Sequence, residues 1–187
     1  MFLKRRLFLI TILSLGTLAC LVNGDLIRPA YYSLAYSKGH AMLAANGQSI
    51  KINVLIGADK DGYATKVSEG LNKYGPKWLN ARYAPISKNN DQGPYQMKWA
   101  FDVTENGNAA ALCRKQSSDL RELVPSTGVV LAAFCLNNKT LTSARARVKS
   151  LPNSDEFLKT IGAIGRELLV IHNPVREDNC WVIGDCT

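Results

Sequence analysis

Histidine is nearly absent from this 187-residue chain, which holds only His40 and His172. Two imidazoles so far apart in sequence make no metal-ligand spacing, so no metal centre is expected. The 5 cysteines include no CxxC pair, which removes a thioredoxin-like redox role and a zinc ribbon. No Ser or Cys stands in a nucleophile-elbow pattern, and no cofactor motif is present, so no cofactor is expected. Acidic residues are the scarcer sign of charge, 15 against 23 basic. With 47% apolar, 20% charged and 8% aromatic residues, the composition excludes a coiled coil, a collagen-like or disordered chain and a multi-span membrane protein.

What is there begins at the N-terminus. Lys4, Arg5 and Arg6 precede a stretch from Leu7 to Gly24 without charge, whose first part, Leu7 to Leu15, is almost purely aliphatic. A basic start followed by a short apolar run is a secretory signal pattern. One reading takes Gly16-Thr17-Leu18-Ala19-Cys20 as a lipobox: residues 1–19 leave as the signal peptide and the Cys20 thiol carries lipid. Thr17 departs from the Leu usual at its position. A second reading cuts after Gly24, with Val22 and Gly24 as the small residues, and gives a soluble secreted protein. A third, an uncleaved anchor, falls short of the about 20 apolar residues that a span requires. Export is common to all three, and it directs the protein away from nucleic acid. Loss of Lys4, Arg5 and Arg6 with the leader takes the net charge from +8 to +5, 20 basic against 15 acidic side chains. That excess suits an anionic lipid surface or an acidic polymer, and equally a plain solvated surface.

If Cys20 carries lipid, four cysteines remain: Cys113, Cys135, Cys180 and Cys186. They allow three pairings. Cys113–Cys135 with Cys180–Cys186 is preferred, and the two loops would contribute roughly 3.4 and 2.4 kcal/mol respectively. Exported compartments preserve such bonds.

The body reads as strands with a few helices. Residues 20–47 show no sustained period and read as a lipidated tether whose end adds to a single domain, 48–187. Ile50, Ile52, Val54 and Ile56 lie on one face, with Lys51 and Asn53 on the other, and mark a strand from Ser49 to Gly57. Ala64, Val67, Leu71 and Tyr74 make 62–74 a helix, stopped by Gly75-Pro76. Trp78 to Ile86 is a second strand, an edge because of Pro85. Tyr95, Met97, Trp99, Phe101 and Val103 give the strongest alternation of the chain. A short helix is expected over Ala109–Lys115. Val129–Leu136, apolar on both faces, reads as a central strand in a hairpin with Thr140–Val148. Ser154 caps a last helix with Asp155 and Glu156 in its first turn, and Gly162 and Gly165 weaken that helix unless they permit close packing. Asn173-Pro174 ends it, and Cys180–Cys186 forms a terminal flap. The order predicts an α+β fold: a largely antiparallel sheet of five strands with helices on one face. The sheet is mixed if the first strand–helix–strand unit pairs in parallel, with a right-handed crossover.

Candidate chemistry is sparse. His172 follows the last helix, where a structural role is the simpler reading, and His40 lies in an irregular stretch. Asp102 and Glu105 bracket a strand end, where turn roles compete with acid–base catalysis. Asp59-Lys60-Asp61-Gly62 lacks the ligands that a calcium loop needs at its fifth and twelfth positions, so it reads as a turn before a helix. Asn138-Lys139-Thr140 would accept a glycan in a eukaryotic secretory protein and is a turn in a bacterial one. Arg145 and Arg147 share one strand face, with Lys149 following. Guanidinium forks there would bind phosphate or carboxylate; the competing reading is a solvated face or pairing with acids of the last helix.

Leu112-Cys113, Ala132-Ala133-Phe134-Cys135 and Thr142-Ser143-Ala144-Arg145 together resemble a group of small exported proteins and lipoproteins of Gram-negative bacteria, over roughly residues 50–150. The resemblance implies no activity. Leu21 after a lipidated cysteine, in place of Asp, implies transfer to the outer membrane, facing the periplasm. The expectation is therefore a non-enzymatic envelope lipoprotein, a binding or assembly subunit for an envelope protein or anionic polymer. The alternative is a soluble periplasmic or secreted enzyme acting on envelope polymers, which would need Asp102, Glu105 or His172 in one cleft. An intact mass from the native membrane fraction should equal Cys20–Thr187 plus acyl chains, with four cysteines alkylated only after reduction. A chain starting at Asp25 with free thiols would contradict both expectations.

Overall fold

The structure is a computed structural model that describes residues 20–22, 25–46, 49–86, 93–103, 107–114 and 128–176. The expected leader 1–19, Glu105, and the pair Cys180 and Cys186 lie outside the described residues. Strands β1 (Cys20–Val22) and β2 (Asp25–Tyr32) come first, followed by helix α1 (Lys38–Ala45), β3 (Ser49–Ile56) and helix α2 (Lys60–Tyr74). Then come β4 (Arg82–Pro85), β5 (Tyr95–Phe101), a 3-10 helix (Ala109–Cys113), the hairpin β6 (Val129–Leu136) and β7 (Lys139–Arg147), and helix α3 (Asp155–Leu168).

Among the described residues the strands form one sheet in the order β1-β2-β7-β6-β5-β3-β4. β1, β2, β7, β6 and β5 pair antiparallel in turn, whereas β3 pairs parallel with both β5 and β4. The protein is thus mixed α+β with a mostly antiparallel sheet, in which the first strand–helix–strand unit, β3–α2–β4, pairs in parallel. Seven strands replace the expected five, because the segment read as a tether supplies two. β2 escapes a period-two reading for physical reasons. It begins with the buried Asp25, contains Pro29, and shifts register between Pro29 and Tyr31. Among the described residues β1 pairs only with Asp25–Ile27, and Pro29 lies beyond that ladder, the kind of strand position at which proline is tolerated. Residues 25–46 accordingly belong to the folded unit: Ile27, Tyr36 and Ala41 are fully buried in its core.

The main core lies between the sheet and the helices. Ile50, Ile52, Met97, Trp99 and Phe134 meet Val67 and Leu71 of α2 and Phe157 and Ile161 of α3. The ring of Tyr63 stacks on Phe101 at 4.2 Å between centroids, an aromatic contact beyond simple burial. A smaller core fills the opposite face: Leu112 and Cys113 of the 3-10 helix cover Leu131, Ala133 and Cys135 of β6. Burial on both sides is why β6 reads as apolar throughout. Cys113 and Cys135 form a disulfide, Cα–Cα 5.5 Å, that fastens the 3-10 helix to the sheet. Thr140 Oγ1 adds a hydrogen bond to the Ala110 carbonyl at 2.7 Å.

α2 and α3 start and cross as their sequences dictate. Asp59 accepts the Gly62 N–H at 2.9 Å, so the Asp-Lys-Asp-Gly segment is a helix cap. Ser154 accepts the Phe157 N–H at 3.1 Å. Asp155 takes hydrogen bonds from Lys159, Tyr74 and Lys73, which hold its carboxyl well below the usual carboxylate range. The helices approach so closely that a Cβ on Gly162 would lie 2.6 Å from the Tyr74 carbonyl, and one on Gly70 2.9 Å from the Leu158 carbonyl oxygen. Gly162 therefore serves close packing, and its low helix propensity is the cost. Gly162→Ala should destabilise the protein by about 1–3 kcal/mol, although alanine is the better helix former. A denaturant midpoint equal to or above that of the wild type would contradict this packing.

Candidate functional site

The sheet sorts charge by face. Side chains that alternate toward the helices are apolar apart from the buried Asp25 and Thr142, and the acids of α2 and α3 lie in that helical layer. On the other face, Arg28 of β2 stands directly opposite Arg145 of β7, and Arg147 follows two residues later on the same strand. Leu131 of β6 flanks Arg145, which fixes this as the face of the 3-10 helix. Arg28 and Arg147 are exposed and Arg145 is half-buried at the margin of that cover. Among the described residues, no Asp or Glu on a strand shares this face, and no carboxylate pairs with Arg28 or Arg145. α3 packs on the opposite side of the sheet. Like charges directly opposite in a sheet are destabilising by up to about 1 kcal/mol.

The arginines end at a cleft of about 720 Å³ at one end of the sheet. Tyr63, Phe101 and Phe157 give it an aromatic floor, and Arg147, Lys149 and Asp102 supply charge. Leu151 on its wall is 76% exposed. That wall is held by Asp25, which is 1% exposed. Its carboxylate accepts the Lys149 N–H at 2.8 Å, the Ser150 hydroxyl at 3.2 Å and the Thr160 hydroxyl at 2.7 Å. Asp102 has a left-handed φ of 54° and accepts the Gly128 N–H at 3.3 Å. Short acids tolerate that conformation, and Asp102 bends the chain at the end of β5, just before Val103 donates to the Val129 carbonyl. Gly128 itself has φ +62°, and a Cβ there would collide with the Val148 carbonyl.

Of the residues named for catalysis, Asp102 and His172, which are described, do not converge. Asp102 stands beyond Phe101, at the end of the sheet where Ile27 and Arg147 lie. His172 stands at the other end, near Asn173, whose side-chain amide donates to the Ser33 and Tyr36 carbonyls. The length of β5, roughly 20 Å, separates the two ends. His40 also has a local partner: its Nδ1 accepts the Ser37 N–H at 3.2 Å and helps to cap α1. No group of three or more His, Cys, Asp or Glu side chains suited to a metal occurs among the described residues. The far end carries exposed Leu34, Met42, Leu43 and Ile171. No described helix is long and apolar enough to cross a membrane.

Period-two alternation brought Arg145 and Arg147 together in the sequence. Arg28 was missed, because only the pairing of β2 with β7 reveals it as their neighbour. No protein-family model, curated protein or solved structure matches the chain.

Proposed function

We propose that the protein is a non-enzymatic binding or assembly subunit of the bacterial envelope, exported and held there by lipid on Cys20. Its working surface is the arginine-bearing face of the sheet. The observation that carries this reading is the placement of Arg28 opposite Arg145 with no described acid beside either. A fold gains nothing from two guanidinium groups set against each other. An anionic ligand turns that cost into affinity, since both forks then share phosphate, sulfate or carboxylate oxygens. The separation of Asp102 from His172 favours binding over the alternative of an enzyme acting on envelope polymers.

The test compares the double variant Arg28→Ala/Arg145→Ala with Lys60→Ala/Lys77→Ala, an equal change of net charge in the helical layer. Affinity for a sulfated polysaccharide at low salt should fall by at least about tenfold in the arginine variant, given 1.5–3 kcal/mol per charged hydrogen bond. The lysine variant should lose much less. The arginine variant should melt no lower than the wild type, because it loses a like-charge pair. Equal losses in the two variants would reduce the arginine face to a share of the general charge.

A further inference from the structure

We propose that the anionic partner is a linear acidic polysaccharide that lies along β2 and β7. The inference rests on the reading that Arg28 and Arg145 bind an anion, and it adds the length and chemistry of the ligand. Arg147, Arg145 and Ser143 follow one another at every second residue of β7, on the face of the 3-10 helix. Arg28 and Tyr31 of β2 stand opposite Arg145 and Ser143. Every second residue advances about 7 Å along a strand, so the exposed ring of Tyr31 continues the line of the arginine pair.

At Tyr31 the line enters a recess of about 570 Å³ between the 3-10 helix and the β6–β7 turn. Arg114 and Lys139, both exposed, bring a second pair of cations to it, and Asn108 and Asn138 bring two amides. The Asn108 side chain is fixed there, because its Oδ1 accepts the Ala110 N–H at 2.9 Å. Residues 107–114 and the turn at 137–138 hold no Asp or Glu. From Arg147 to Thr140, which lines the recess, is seven residues of strand, roughly 20–25 Å. One phosphate or carboxylate group fills one cation cluster; only a chain reaches both.

The make-up of the recess selects among chains. A sugar ring has a face of C–H bonds, which packs on an aromatic ring, and a rim of hydroxyls, which take amides as partners. Among the described residues no aliphatic side chain larger than alanine lines the recess, so it offers nothing to the hydrocarbon of a bilayer. An acidic peptide would use the four cations without needing Tyr31.

The full-length protein is titrated by calorimetry at low salt with heparin oligosaccharides of defined length, from the disaccharide upward, and with polyglutamate of matched charge. Affinity for heparin should rise by at least about tenfold with length and level off once the chain spans both cation clusters. Arg28→Ala/Arg145→Ala and Arg114→Ala/Lys139→Ala should each lower long-chain affinity by at least about tenfold and remove most of that rise, whereas Lys60→Ala/Lys77→Ala should not. Tyr31→Ala should weaken long heparin chains by about three- to tenfold, Tyr31→Phe should not, and polyglutamate should register neither change. A loss confined to Arg28→Ala/Arg145→Ala, with wild-type affinity independent of length, would overturn the strip while leaving the anion site in place. Undiminished heparin binding by Arg28→Ala/Arg145→Ala, or an equal loss in the lysine variant, would overturn the anion site as well. Polyglutamate binding as tight as heparin, with Tyr31→Ala indifferent to both, would overturn the polysaccharide in favour of an acidic peptide.

Discussion

The arrangement depends on the buried carboxylate of Asp25. Its three donors are a backbone amide in the loop after β7, a hydroxyl in the same loop and a hydroxyl in the middle of α3. Hydrogen bonds to a charged group contribute about 1.5–3 kcal/mol each, and loss of the acceptor leaves buried donors unmet. One side chain thus joins the first long strand, the loop that walls the cleft and the helix that closes the core. The same contact fixes β2 against β7 and thereby sets Arg28 opposite Arg145. The acid that begins β2 is structural, and it positions the arginine of the proposed binding face.

A second constraint is that the sheet is covered on both faces by unlike layers. The helices give a thick aromatic core, whereas the other face has the short 3-10 helix, fastened by the Cys113–Cys135 disulfide. So slight a cover shields β6 and the inner part of β7 and stops at the outer arginines. Charged side chains stand where that cover ends, and acids gather in the helical layer. The resulting asymmetry gathers Arg28, Arg145 and Arg147 on one side of the domain. The exposed apolar residues Leu34, Met42, Leu43 and Ile171 lie at the far end of the sheet.

Much of this was legible in the residues. The alternation of Ile50, Ile52 and Val54, the two-sided apolar run of β6, the Ser154 cap and the Cys113–Cys135 pair each depend on local pattern or simple spacing. Gly162 was legible only as an ambiguity, because the sequence does not show what lies across from a glycine. β2 was illegible for a stronger reason. Its buried acid, its proline and its register shift each imitate loop chemistry, and each is satisfied by a distant partner. β4 is shorter than expected because Trp78 and Leu79 serve the helical layer, where the Trp78 indole donates to the Leu169 carbonyl at 3.0 Å. At the site, period two gave Arg145 and Arg147 one face. Arg28 needed the fold.

The central claim is that the chain from Asp25 onward is one cooperative unit with the sheet, without a tether. Native-state hydrogen exchange tests it directly. The amides of Ile27 and Lys149 should exchange as slowly as those of β6 in the wild type, and Asp25→Asn should speed both together. Fast exchange of β2 beside a protected β6 in the wild type, unchanged in the variant, would make the segment a separate arm and contradict the account.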